Sequence, residues 1–134
     1  MSSSRMGIAV ALLASMGIGA GAVEGLHAQA KPPVYFIGEI EVTNSEGYAK
    51  EYLPKARELI KAHGGQLLAA GGAGGSGNQV IAVDGESPKR VVVYRYPSVD
   101  AVHAWHDDPA YQEVRKIGEK YAKYRTFAVE GVPQ

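Results

Sequence analysis

Lys89-Arg90-Val91-Val92-Val93-Tyr94-Arg95-Tyr96 is the stretch from which the rest of the chain is read. Three β-branched valines followed by alternating tyrosine and arginine favour extended backbone. Asp84-Gly85 marks a turn before it, and Pro97-Ser98 ends it. Alternation places Val92 and Tyr94 on one face and Val91 and Val93 on the other, so this strand is apolar on both sides. It is the clearest strand in the chain.

Downstream, Ser98 is placed to cap a helix that carries Asp100 in its first turn and runs to about His106. Asp108-Pro109 restarts the helix, with proline at its first position. Ala110, Val114, Ile117, Tyr121 and Tyr124 form the expected buried stripe, and Thr126–Val132 closes the chain as a last strand. Upstream, Gln79–Val83 is a second extended piece, joined through the glycine-laden Gly71–Asn78 to a short strand at Gln66–Ala70. Gly64-Gly65 supplies a left-handed helix stop. The helix before it carries Tyr48, Tyr52, Ala56, Leu59, Ile60 and His63 at helical spacing and opens on a Thr43…Glu46 capping box. Pro54 should kink that helix or divide it in two. Val34–Val42 alternates as the first strand, with Tyr35, Ile37, Glu39 and Glu41 on one face. Strand, helix, strand, strand, helix, strand is the α+β, ferredoxin-like βαββαβ order: a four-stranded antiparallel sheet with its helices on one face.

The first thirty residues are of another kind. Arg5 gives a basic start, an uncharged run follows from Met6 to Val23, and Ala28-Gln29-Ala30 offers small residues at the two positions a signal peptidase inspects. The expectation is cleavage after Ala30, leaving residues 31–134 as a single periplasmic or secreted domain. The alternative is an uncleaved anchor, since the apolar run approaches the roughly 18 residues of a spanning helix. Acidic and basic residues balance at 14 each. That balance argues against a nucleic-acid surface and against electrostatic binding to a membrane once the signal is removed. The absence of cysteine excludes disulfides, thiol nucleophiles and thiolate metal sites. Eight tyrosines against two phenylalanines leave many aromatic positions with a hydroxyl that needs a partner.

Gly72-Ala73-Gly74-Gly75-Ser76-Gly77 spells a dinucleotide-binding fingerprint, but a strand-like segment follows it where a helix should open, so a surface loop is the reading and no cofactor is expected. His103 and His106 sit at metal-binding spacing, yet no third ligand is evident and no metal is assigned. Glu39 and Arg95 are expected at matching depths on neighbouring strands, as an ion pair on the face turned from the helices. No serine lies in a nucleophile-elbow setting.

The mature sequence resembles the domain-of-unknown-function family numbered 1330, within the dimeric α/β-barrel superfamily. Glu46-Gly47-Tyr48-Ala49-Lys50-Glu51-Tyr52, His63-Gly64-Gly65-Gln66-Leu67-Leu68-Ala69, Lys89–Val93 and Tyr96-Pro97-Ser98 carry the likeness. So do Ala104-Trp105, Pro109-Ala110-Tyr111-Gln112 and the closing Val129-Glu130-Gly131-Val132. The loop at Gly71–Asn78 is longer than in similar sequences, and Gly118 falls where many carry an arginine. The resemblance implies the fold but no agreed reaction; the wider superfamily holds cofactor-free monooxygenases, haem-degrading enzymes and small isomerases.

Two functional expectations follow. One is a small-molecule site in the cleft between sheet and helices, at a gap left by Gly38 and within reach of Tyr48, Tyr52, His63 and Trp105. It is read as a binding site, for a ligand or a partner, with cofactor-free oxygenation or isomerisation as the alternative. The other is a homodimer. Phe36, Ile40, Val92, Tyr94, Phe127 and Val129 are expected on the helix-covered face. Tyr35, Ile37, Val91, Val93 and Ala128 would then make the opposite face an exposed apolar patch that a second copy covers.

Overall fold

Burial alternates residue by residue along the two central strands, and that alternation sets out the layers. A computed structural model describes residues 31–73 and 77–134. The expected signal segment, residues 1–30, and the middle of the glycine loop, residues 74–76, lie outside the described residues. The strands are β1 (Val34–Val42), β2 (Gln66–Gly72), β3 (Arg90–Tyr96) and β4 (Ala122–Glu130). They form one antiparallel sheet in the order β2-β3-β1-β4. Val34, Phe36 and Ile40 of β1 and Val92, Tyr94 and Tyr96 of β3 are buried under the helices. Tyr35, Ile37, Val91 and Val93 point to the other face and are only half-buried.

The helical layer has three parts. Between β1 and β2, a turn at Ser45–Gly47 leads into a π-helical segment, Tyr48–Tyr52, and then helix α1, Leu53–Ala62. The wide turn has a cause in the sequence. Pro54 has no N–H to give the Lys50 carbonyl and its ring would crowd that carbonyl, so the chain bonds Leu53 N–H to Tyr48 O five residues back. Gly64, at φ 86°, then ends α1 in the left-handed region, with Gly65 N–H bonded to Ile60 O. Helix α2 (Val99–His106) is capped by Ser98, whose hydroxyl accepts from Ala101 N–H. Helix α3 (Pro109–Glu119) is capped by Asp108.

The core is aromatic. Trp105, 2% exposed, meets Phe36 edge-on at 5.1 Å between ring centres and stands 4.4 Å from Tyr111 and 5.9 Å from Tyr96. Aromatic pairs at these separations add about 0.5–1.5 kcal/mol each beyond the area they bury.

Several local expectations are corrected. The first helical turn is capped by Asn44, not by a Thr43…Glu46 box; the Thr43 hydroxyl instead donates to Tyr121 O. Gln79–Val83 forms no strand and stays mostly exposed. The buried stripe of α3 runs through Tyr111, Val114 and Gly118, one position on from Ala110 and Ile117. Strand β4 starts at Ala122, four residues early. Its register sets Phe127 opposite Ile37 and Val129 opposite Tyr35. Phe127 and Val129 therefore belong to the outer face, 44% and 54% exposed, and Ala128 lies on the helix side opposite Phe36. A one-residue error in phase exchanges every side chain between faces.

The Glu39–Arg95 pair is also corrected. Glu39 stands opposite Val91 and Arg95 opposite Tyr35, four residues or about 13 Å apart along the strands. Glu39 pairs with Arg125 of β4, and Glu41 with Lys89 at 3.1 Å, so one end of the outer face is charged. Arg95→Ala should then cost little, and Arg125→Ala, whose side chain is 73% exposed, less than about 1 kcal/mol in urea-denaturation free energy. A loss of several kcal/mol from Arg95→Ala would contradict this register.

His63, at the end of α1, reaches across to the cap of α3, with Nε2 2.8 Å from Asp108 Oδ2. That hydrogen bond, with the Ala110 N–H, holds the Asp108 carboxyl below its ordinary value of 3.8. A carboxyl depressed by folding adds stability above its unfolded value, and the gain disappears as pH falls through the folded value. Asp108→Asn keeps a capping side chain but removes the charge. The variant should lie below the wild type in urea midpoint at neutral pH, and the gap should close as pH falls below 3.8 and through the folded carboxyl's lowered value. A gap unchanged across that range would show that the charge contributes nothing.

Candidate functional site

The inner face of the sheet and the helices enclose a cavity of about 30 Å³. Alternation on the strands delivers Phe36, Gly38, Val92 and Tyr94 to its floor, with Tyr124 and Thr126 from β4. The π-helical segment presents Tyr48 and Tyr52 together, α2 brings Trp105, and α3 brings Tyr111 and Arg115. Of the residues expected at a site, Gly38, Tyr48, Tyr52 and Trp105 border this cavity and His63 does not. The gap at Gly38 is narrow, because a Cβ there would stand 2.9 Å from Val92. As it stands, the space suits about one water molecule.

Its polar groups are hydroxyls and ring N–H groups. Tyr52 and Tyr111 share a hydrogen bond of 2.8 Å between their hydroxyls. The Tyr124 hydroxyl and Trp105 Nε1 are buried without a partner among the described residues. Burial pushes the Tyr48 hydroxyl up to about 12 against the pull of the Arg90 guanidinium. Burial also holds the hydroxyls of Tyr52, Tyr94 and Tyr124 above the usual phenol value. Arg115 stacks its guanidinium 3.9 Å above the Tyr124 ring and keeps Nε 3.4 Å from Glu119. Among the described residues, no carboxylate or imidazole borders the cavity. Neutral hydroxyls at physiological pH donate and accept hydrogen bonds, but they are poor proton acceptors.

Gly118 has a packing reason. Any side chain there would collide with the Tyr124 hydroxyl and stand 2.7 Å from the Tyr52 ring, so two tyrosines fill the volume a longer residue would need. His103 is exposed, and the His106 ring lies beside the Trp105 and Tyr111 rings with one carboxylate near it among the described residues, Asp107 at 3.6 Å. No group of three metal-ligating side chains occurs among the described residues. Sequence reasoning missed Tyr111, Arg115 and Tyr124 as cavity residues, and Arg90 as a buried one. The shifted stripe of α3 and the early start of β4 account for the first three. Arg90 was legible, since it shares strand parity with Val92 and Tyr94.

No helix among the described residues is long and apolar enough to cross a membrane. No curated protein sequence matches the chain. Among solved structures, the chain is similar to a protein of unknown function from Rhodopseudomonas palustris, RPA0582. That match has a TM-score of 0.56 at 18% identity and covers 84% of this chain and 92% of that one. It is also similar to SnoaB, a cofactor-independent oxygenase from Streptomyces nogalater, with a TM-score of 0.54 at 8% identity and coverage of 77% and 96%. A hypothetical Arabidopsis thaliana protein matches with a TM-score of 0.54 at 14% identity, covering 77% and 91%. Identities this low establish the fold and nothing of the chemistry. The family described as domain of unknown function (DUF1330) matches residues 33–132. The chain therefore belongs to the DUF1330 family and has the α+β fold of the dimeric α/β-barrel type.

Proposed function

We propose that this protein is an exported, homodimeric domain that binds a small organic compound in the tyrosine-lined cleft without transforming it. The observation that carries the reading is an aromatic cavity bordered by donors that have no partner among the described residues, the Trp105 N–H and the Tyr124 hydroxyl, with no carboxylate or imidazole among its described lining residues. Unpaired buried polar groups cost about 1–3 kcal/mol each, a cost that a ligand offering acceptors removes. A ligand larger than one water needs a wall to yield. The π-helical segment that carries Tyr48 and Tyr52 is the natural one, since such wide turns are weaker than regular helix.

Cofactor-free oxygenation is the second reading. The fold shared with SnoaB favours it, as does the Tyr52–Tyr111 hydroxyl pair, which could pass a proton. It ranks below binding because that chemistry begins by taking a proton from the substrate, and burial holds the hydroxyls of Tyr48, Tyr52, Tyr94 and Tyr124 in the neutral form. Export rests on the signal-like residues 1–30. Dimerisation rests on Tyr35, Ile37, Val91, Val93, Phe127 and Val129, which share the face the helices leave uncovered.

Native mass spectrometry of the protein recovered from the cell envelope should detect a small organic adduct, released unchanged after incubation in air. A product heavier by oxygen would establish the oxygenase reading instead, and an empty protein under several growth conditions would defeat the ligand reading. Light scattering on a sizing column at about ten micromolar should give a dimer mass, which Val91→Asp abolishes. Each such side chain buried between two sheets contributes about 1.5–3 kcal/mol. A wild-type monomer would defeat the assignment of the outer face.

A further inference from the structure

Arg90 is 1% exposed, the most thoroughly buried charged residue among those described, and no carboxylate among them pairs with it. Among the described residues its Nη1 reaches the Ala73 carbonyl, at the long distance of 3.5 Å, and its Nε has no acceptor. The guanidinium stands 5.6 Å from the centre of the Tyr48 ring, one wall of the cavity. Parity on β3 turns Arg90 to the helix side with Val92 and Tyr94, and the chain that leaves β2 at Gly72 folds over it, with Ala73 N–H bonded to Lys89 O. The other cation near the cavity, Arg115, has Glu119 beside it. Arginine keeps its charge in any protein setting, so burial cannot neutralise it. A buried guanidinium with one weak hydrogen bond is a strongly unfavourable arrangement unless an anion joins it.

We infer that the cleft ligand is an anion, a carboxylate or enolate on a small aromatic or apolar body, and that Arg90 is the residue that binds its charge. The inference rests on the cleft reading above and narrows it to a ligand class. The planar fork of the guanidinium suits the two oxygens of a carboxylate, while the tyrosine rings and Trp105 take the apolar body. Arg90 does not itself border the cavity; Tyr48 does, so the Tyr48 ring must turn aside for a carboxylate seated there to reach the guanidinium.

The test uses the protein purified from cells expressing the full chain, with phenylacetate and benzoate as probes and phenylacetamide and benzamide as neutral counterparts. Titration calorimetry and thermal shift should show the acids binding about tenfold more tightly than the amides, the margin expected when a neutral hydrogen bond is replaced by one between charged groups. Arg90→Gln should remove that preference and leave amide binding unchanged. Acids and amides binding alike to the wild type would overturn the anion inference alone and leave the cleft reading standing. No binding by any of the four would overturn both. If Arg90→Gln does not fold, Arg90→Met supplies the second measurement. Without ligand, Arg90→Met should melt at or above the wild-type temperature, because it removes a charge the protein leaves uncompensated. A melting temperature well below the wild type, not regained with phenylacetate, together with unaltered acid preference would assign Arg90 a packing role and overturn the proposal.

Discussion

The edge-on contact between Trp105 and Phe36 joins the helical layer to the centre of the sheet, and most of the interior is arranged around it. Phe36 lies on the central strand β1, and Trp105 reaches it from an eight-residue helix, α2, that has only two buried residues of its own. A helix that short is not stable alone; the indole holds it to the sheet. Tyr111 on α3 and Tyr96 on β3 complete the ring of contacts. Because the core is built from tyrosines where leucine and phenylalanine are more usual, it carries hydroxyls into a region that is otherwise apolar. Tyr52 and Tyr111 pair their hydroxyls with one another across the cleft, whereas the Tyr96 and Tyr124 hydroxyls have no partner among the described residues.

The same composition explains the cavity. Rings and small residues tile the inner face imperfectly around Gly38, and Gly118 makes room for Tyr52 and Tyr124 to meet over the sheet. The site is thus a product of the packing that stabilises the domain, which is why its groups are donors and aromatic faces with no acid or base among them. Arg90 is the exception to this apolar economy. It sits beside Ala73, just after β2, and it is the one buried charged side chain among the described residues.

How far the sequence revealed this depended on periodicity. Val91-Val92-Val93 and the alternation of Val34–Val42 placed β1 and β3 correctly, and with them the faces of Tyr35, Ile37, Val92 and Tyr94. Ser98, Asp108 and Gly64 marked the helix ends through local hydrogen bonding that needs no tertiary partner. The errors fell where that signal was ambiguous. Ala122–Tyr124 reads equally as the end of a helix or the start of a strand, and choosing helix inverted Phe127 and Val129. Glu39 was given Arg95 because both are charged and face outward, although register, which sets Arg125 beside Glu39, is a tertiary property. His63 read as a helix-end residue; its bond to Asp108, 45 positions away, lies beyond any local pattern.

The central claim is that the aromatic layer holding helix to sheet is also the surface a ligand touches, and the chain carries its own reporter for it. Trp105 is the only tryptophan in the sequence and is almost wholly buried. Its emission should be that of an indole shielded from water in the free protein, and should change saturably as phenylacetate is added, with the same midpoint as calorimetric binding. Binding detected by calorimetry while the Trp105 emission stays unchanged would place the ligand elsewhere and contradict the account.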